Sequence, residues 1–376
     1  MKNRAILRFQ DPANIGSPFL LEELLDACET AEAGGGAFAY ATRSGVGLLL
    51  EDEAFVSFVS KKPFDLVLGI DEVTDSGAID RALRAKKALP NLLVRAFMHQ
   101  RNWCRFHPKM CWFRYKRGGR VIAGSGNLTL GGLRANWEAF TVTNLTSPEI
   151  DEIEKAWLSW TNLHASLLLP IGDPRVLERA TKNIVRRTPS HERPDLESSA
   201  SDEDVTVPPS PGQSVLVAEM VRGGGRWGRW KQANFDLENY EGYFGAKRGT
   251  QRRILLQHVR QDGRLDEIEP RRSVEVLSRN FRLELGAASG IPYPDAGRPI
   301  AVFVRLQGGI FRYRLLLPND PGYGNVSTLL DNRWTGPSTR VRRVRMELAD
   351  LRQAWPDLPS ALIGEASAPI PRDATT

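Results

Sequence analysis

The chain has 376 residues, 41% of them hydrophobic and 26% charged, with a formal net charge of +6 and a pI near 9.3. That length points to two domains rather than one, and that hydrophobic fraction supplies a packed core, which excludes a disordered chain. No run approaches the roughly 18 apolar residues needed to span a bilayer, and the opening MKNRAILRFQDP lacks the apolar segment and cleavage site of a signal peptide, so the expectation is a cytoplasmic protein without a membrane partner.

Taken in order, the first half alternates helices and strands. PFLLEELLDACETAEA (18–33) carries apolar residues at helical spacing. AFAYATRSGVGLLL (37–50) reads as a strand entering a glycine turn, and FDLVLGID (64–71) as a buried strand ending in a polar loop. AIDRALRAKKAL is a short helix and NLLVRAFMH a further strand. KMCWFRYK alternates with period two, Gly118-Gly119 makes a turn, and RVIAGSGN returns beside it. PEIDEIEKAWLSWTNLHASLLL opens on proline and acids and continues at helical period. The class is α/β, a mixed sheet flanked by helices, over residues 1–185.

Residues 186–213, RRTPSHERPDLESSASDEDVTVPPSPGQ, are rich in Pro, Ser and acid and nearly free of large apolar side chains. They read as a flexible linker. Beyond it, over 214–376, strands dominate: SVLVAEMV, RILLQHV, FRLELGA, the hairpin IAVFVRLQGGIFRYRLLL, and VRRVRMEL. This half reads as a mostly-β antiparallel domain, a pseudobarrel-like barrel or a sandwich. It is also the basic half. Residues 211–376 hold 25 basic and 18 acidic side chains, against 26 and 27 in residues 1–210. Its basic groups are arginines apart from Lys231 and Lys247, and arginine is the better fork for phosphate and guanine edges.

The chemistry concentrates at RFHPKMCWFRYKRGGRVIAGSGNLTLGGLRANWEAF, residues 105–140. His107 and Lys109, at i and i+2 on a strand, share a face. Ser125 and Asn127 share a face on the returning strand, and Gly124 and Gly126 allow a backbone to approach a ligand closely. Lysine and amide donors suit a phosphate oxygen. A histidine with no hydroxyl or thiol partner suits a nucleophile or proton shuttle. Cys104 and Cys111 flank His107 and raise a thiol or metal alternative. With Cys28 they are odd in number and lack CxxC spacing, which disfavours a zinc site.

HPK at 107–109 followed by GSGN at 124–127 resembles the HxK and GSxN signature of the phospholipase D superfamily, over roughly residues 30–165. The aspartate usual a few residues after the lysine is missing, which agrees with the nuclease branch, where a later glutamate takes its role; Glu138 supplies it here. The resemblance implies a phosphodiesterase that needs no metal or other cofactor. His107 would attack phosphorus, Lys109 and Asn127 would hold nonbridging oxygens, Ser125 would add a hydrogen bond, and Glu138 would orient His107. The mechanism calls for two copies of the motif. None of His99, His164, His191 and His258 begins HxK, and GSxN does not recur. One copy per chain implies a homodimer, or else an inactive monomer.

A phosphodiesterase joined by a linker to an arginine-rich β domain is similar in architecture to BfiI-like restriction endonucleases, in which a C-terminal domain reads double-stranded DNA. A partner methyltransferase is a possible companion of such an enzyme, and the sequence alone does not decide whether one exists. Candidate DNA contacts are Arg226, Arg229 and Lys231 among Trp227 and Trp230, Arg252 and Arg253 in KRGTQRR, and Arg340, Arg342 and Arg345 in STRVRRVR. Each basic patch could instead be a solvated edge that blocks strand aggregation. SDEDV (201–205) is a candidate acidic cover for a cationic groove. A lipid phosphodiesterase and a non-catalytic nucleic-acid-binding module are the competing readings.

Overall fold

The computed structural model describes residues 4–99, 104–186, 208–212, 214–222, 230–246, 252–272, 274–275, 281–337 and 340–365. The chain separates into two compact units: Met1–Pro12 with Gly16–Val205, and Ala13–Ile15 with Thr206–Thr376. Most of the linker lies outside the described residues, SDEDV included. Among the described residues no helix is long and apolar enough to cross a membrane.

The first unit is α/β. Its strands are β1 (Arg4–Gln10), β2 (Ala33–Phe38), β3 (Phe64–Gly69), β4 (Leu92–Phe97), β5 (Lys109–Arg114), β6 (Gly119–Gly124), β7 (Glu138–Leu145) and β8 (Leu168–Pro170). Its helices are α1 (Leu20–Cys28), α2 (Arg43–Leu50), α3 (Glu53–Val59), α4 (Ser76–Ala88), α5 (Ser147–Leu163) and α6 (Pro174–Arg186). One eight-stranded sheet runs β1-β7-β6-β5-β2-β3-β4-β8. The β2–β3 and β3–β4 pairs are parallel and the others antiparallel. Helical crossovers join the parallel strands, as parallel pairing demands.

Strand β2 is AGGGAF, and its glycines are set by packing. A Cβ at Gly36 would lie 2.5 Å from Cys111 Sγ, and one at Gly35 would lie 2.7 Å from Trp112 Nε1. Bulky side chains of β5 fill the space the glycines leave. The expected glycine turn after this strand is instead the helix α2. Thr42 caps it by accepting from the Gly45 N–H at 3.3 Å. Two glycines inside the helix hide its pattern, and close approach requires both. A Cβ at Gly45 would strike the Leu128 carbonyl and one at Gly47 the Arg81 guanidinium.

Among the described residues the second unit holds two sheets, one of them mixed. Its strands are β9 (Val215–Glu219), β10 (Gln232–Phe235), β11 (Ile254–His258), β12 (Glu269–Arg271), β13 (Val274–Glu275), β14 (Phe281–Glu284), β15 (Ile300–Leu306), β16 (Ile310–Leu316) and β17 (Arg343–Met346). The sheets run β12-β11-β16-β15-β9-β17 and β10-β14-β13. The hairpin β15–β16 forms as its sequence predicts, turning through Gly308 and Gly309 at positive φ. The expectation of an antiparallel domain is corrected at one pair: β11 and β16 run parallel. The eleven-residue helix α7 (Tyr323–Arg333), whose sequence has little amphipathic pattern, also lies here. Aromatic side chains dominate the core, among them Phe235, Tyr243, Phe244, Phe303, Phe311 and Tyr313.

Candidate active site

The five residues singled out in the first unit converge on one end of its sheet. Phe38 pairs with Lys109, Met110 with Ala123, and Gly124 with Phe140, so the last residues of β2 and β6 lie level with the first of β5 and β7. This is the carboxyl end of the parallel strands. There β2 turns to its parallel neighbour on one side and its antiparallel neighbour on the other, which is where α/β sheets open a crevice.

His107 and Lys109 do not share a strand. Lys109 opens β5, whereas His107 precedes Pro108, whose carbonyl accepts from the Ala39 N–H at 2.8 Å. The two side chains nevertheless meet. Lys109 Nζ lies 3.0 Å from His107 Nε2 and 3.1 Å from Nδ1. An ammonium that close to both nitrogens lies over the ring face, because an in-plane approach would drive it into the carbon between them. The Tyr40 ring makes a T-shaped contact with the same imidazole, with centroids 5.9 Å apart and planes at 77°.

Ser125 and Asn127 follow β6 rather than sit on it. The Ser125 N–H donates to the Ala139 carbonyl at 2.9 Å, the Ala139 N–H donates back to Ser125 Oγ at 3.0 Å, and the Ser125 hydroxyl donates to the Glu138 carboxylate. Asn136 donates a further bond to Glu138 at 3.3 Å. The expected Glu138-to-His107 contact is therefore revised: the hydrogen bonds of this carboxylate go to Ser125 and Asn136. Asn127 Oδ1 accepts from the Tyr40 N–H at 3.2 Å, and the Tyr40 carbonyl accepts from the Leu128 N–H at 3.1 Å. With Oδ1 committed to the backbone just after β2, the Asn127 amide has its NH2 to offer an anion.

Packing alone already requires the glycines of this loop. A Cβ at Gly124 would lie 2.4 Å from the Ala139 carbonyl oxygen, and one at Gly126 would lie 2.6 Å from Leu20 Cδ2 and 2.7 Å from the Gly132 carbonyl. Gly132 in turn would meet the Asn127 N–H at 2.4 Å. Gln10, at the end of β1, ties the next turn down. Its Nε2 donates to the Asn136 carbonyl at 2.9 Å and its Oε1 accepts from the Leu20 N–H at 3.0 Å. Nothing in the motif pointed to Gln10 or Tyr40. Only burial of a polar residue at a strand end, visible in three dimensions, marks the first.

Two more charged groups rim the site. Arg105 pairs with Glu72 at 3.1 Å and interacts with the Tyr40 hydroxyl. Burial pushes that hydroxyl up, and Arg105 works against the rise. Glu72 holds a positive φ of 49° inside a tight turn closed by the Val73 N–H on the Asp71 carbonyl at 2.6 Å. Asn183 of α6 braces that turn by donating to the Ile70 and Thr74 carbonyls at 2.9 and 2.8 Å. The thiol alternative weakens, because Cys111 is buried and burial pushes its thiol up, away from the thiolate that reacts.

The candidate DNA contacts of the second unit fare differently. Arg226 and Arg229 lie outside the described residues. Lys231 pairs with Glu284 at 2.5 Å. Arg252 is half-buried, and Arg253 is 1% exposed and is therefore no surface contact. Arg342 and Arg340 precede β17 rather than share a strand face. Arg342 pairs with buried Glu219 at 2.8 Å and with Asp331, and Arg345 donates to Asn239 Oδ1 at 2.7 Å and to the Glu238 carbonyl. Arg340 is exposed.

No protein-family model matches the chain, and no curated protein does. Among solved structures it is similar to Nuc, a phospholipase D family member from Salmonella typhimurium, at 16% identity and a TM-score of 0.34 over 45% of this chain and 98% of that one. It is likewise similar to NucT from Helicobacter pylori, at 15% identity and 0.32 over 44% and 99%. The phosphatidylserine synthase of Haemophilus influenzae Rd KW20 matches at 12% identity and 0.30, over 49% and 46%. At these scores the likeness is a similarity only, and the functional reading rests on the residues above.

Proposed function

We propose that the chain is a metal-independent phosphodiesterase of the phospholipase D type, a restriction- or defence-type DNA endonuclease acting through a phosphohistidine. One observation carries this reading: the juxtaposition of His107, Lys109, Ser125, Asn127 and Glu138 at one sheet end. A ring nitrogen of His107 attacks phosphorus, and the phosphorus–oxygen bond to the leaving strand breaks. A second imidazole gives that oxygen its proton. Water, deprotonated by the same imidazole, then breaks the phosphorus–nitrogen bond and restores His107. Lys109 and the Asn127 amide donate to the nonbridging oxygens, where negative charge gathers in the transition state. Ser125 and Glu138 fix the loop that carries Asn127.

The second imidazole comes from a second copy of the chain. His107 and Ser125 are exposed in one protomer, so the site stands open. Leu7 and Phe9 on β1 and Trp137 beside Glu138 are 57, 66 and 70% exposed. Leu7 and Phe9 alternate onto one face, opposite Thr141 and Ala139. Clustered apolar exposure of this kind marks an interaction surface, and a two-fold partner there supplies the missing group.

Supercoiled plasmid incubated with the protein in excess EDTA tests the reading. Cutting should persist in chelator and vanish in His107→Ala. Cutting that disappears with EDTA and returns with magnesium would refute it, and release of a lipid headgroup in place of DNA cutting would move the activity to the lipid branch.

A further inference from the structure

His107 and Arg105 emerge together from a segment that alternates between solvent and core. Arg105 is exposed, Phe106 is 7% exposed and His107 is exposed again. The Phe106 ring stacks on Phe97 at 4.4 Å and 14°, which anchors the chain between the two polar residues. Pro108 biases His107 to extended backbone. Residues two apart on such a segment present side chains to one side about 6.6 Å apart, a separation comparable to the step between consecutive phosphates of a nucleic-acid strand.

Resting on the function proposed above, we infer that Arg105 is a second phosphate-binding group of this centre. It grips the phosphodiester adjacent to the scissile one, and Glu72 holds it ready until a strand arrives. The substrate class this favours is a chain of consecutive phosphodiesters rather than an isolated one.

Three features support the assignment. A guanidinium binds a phosphate through two parallel hydrogen bonds, so one that is aimed and solvent-accessible beside a phosphodiesterase centre is suited to grip substrate. The aim is set from both sides, because Tyr40 both contacts Arg105 and packs T-shaped against His107. The holding contact is also weak enough to exchange. Arg105 and Glu72 are 45 and 42% exposed, and an ion pair in water is worth little, so a dianionic segment of substrate displaces the carboxylate. Glu72 keeps a backbone conformation disfavoured for a residue with a side chain, which places its carboxylate against Arg105 by construction.

The test compares bis(p-nitrophenyl) phosphate, which has one phosphodiester, with a short oligodeoxynucleotide. Arg105→Ala should lower kcat/KM on the oligonucleotide at least about tenfold more than on the single ester, and Arg105→Lys should recover part of the difference. The slope of log kcat/KM against log salt should flatten by about 0.7 to 0.9 on the oligonucleotide, the share of one phosphate contact. Glu72→Gln removes the competitor and should lower KM for the oligonucleotide alone. This variant decides the matter if Arg105→Ala fails to fold. Equal losses on both substrates, or an unchanged salt slope, would overturn this role and leave Arg105 as a support for Tyr40. A wild-type chain inactive on both substrates would overturn the proposed phosphodiesterase and this role with it.

Discussion

The two units use polar side chains in opposite ways. In the first, the polar groups of the motif gather at an open sheet end, with His107 and Ser125 exposed to solvent. In the second, arginines that the sequence offers to a polyanion are largely consumed inside the unit. Arg312 donates to the Ala361 carbonyl at 2.5 Å and Arg314 to the Val259 carbonyl at 3.1 Å, both from buried positions on β16, and burial pushes Arg312 down to about 10. Glu219, 6% exposed, takes Arg342 and Arg298. A charge count is therefore a poor guide to surface potential when buried acceptors are present. Arg340 is what remains of the STRVRRVR patch at the surface.

That contrast can be broken by substitution. His107→Ala should reduce DNA cutting by on the order of 10⁴-fold or more, as removal of a nucleophile does. Its melting temperature should stay within a degree or two of wild type, because the side chain is exposed. A chain that instead melts early would make His107 a structural residue and erase the contrast. Glu219→Ala should behave in reverse, leaving cleavage chemistry in place while unfolding of the second unit becomes easier by about 1 to 3 kcal/mol, as half-buried Arg342 loses its charge-assisted hydrogen bonds and exposed Arg298 turns to water. A thermal melt of the first variant and a denaturant titration of the second give the two values.

A titration sharpens the same point. Burial alone would raise the Glu219 carboxyl, but hydrogen bonds from Arg342 and Arg298 win and hold it below its ordinary value of 4.5. Its stabilising contribution is thus present above about pH 4.5 and is lost as pH falls through the lower folded value. The unfolding free energy should drop over that acid range in wild type and drop less steeply in Glu219→Gln. Gly126→Ala should cost about 1 to 3 kcal/mol through overpacking against Leu20 and the Gly132 carbonyl, and cutting should fall with it as the Asn127 loop shifts. The smallest effect belongs to Lys231→Ala, whose exposed pair with Glu284 should change stability by at most about 0.5 kcal/mol. A larger change would mean that this surface pair is structural after all.

Much of the first unit is legible in the sequence because its signals are local. The period-two run at 109–114, the Gly118-Gly119 turn and the helix 147–163 with its Thr146 and Glu149 capping box all speak within a few residues. The motif reports which side chains gather but not how. Pro108 takes His107 off the strand, so its meeting with Lys109 is a contact of side chains across a loop. Tyr40 and Gln10 were invisible because their roles come from partners 87 and 126 positions away. The helix α2 was hidden because its glycines answer to Leu128 and Arg81, which are remote in sequence. In the second unit, β9, β11, β14, β15, β16 and β17 were readable from their runs of strand-forming residues, whereas the short β10, β12 and β13 were not, and the parallel β11–β16 pair depends on chain path, which no local run encodes.

The seating of the Asn127 loop on Gly132 bears on how such a chain can diverge. Neither glycine at 126 or 132 can acquire a side chain without dislodging the other's neighbours, so this part of the loop is closed to gradual change. The rim at Arg105 and Glu72 has no such lock, since both side chains end in solvent. Descendants are free to retune what they grip while the group that reacts stays where it is.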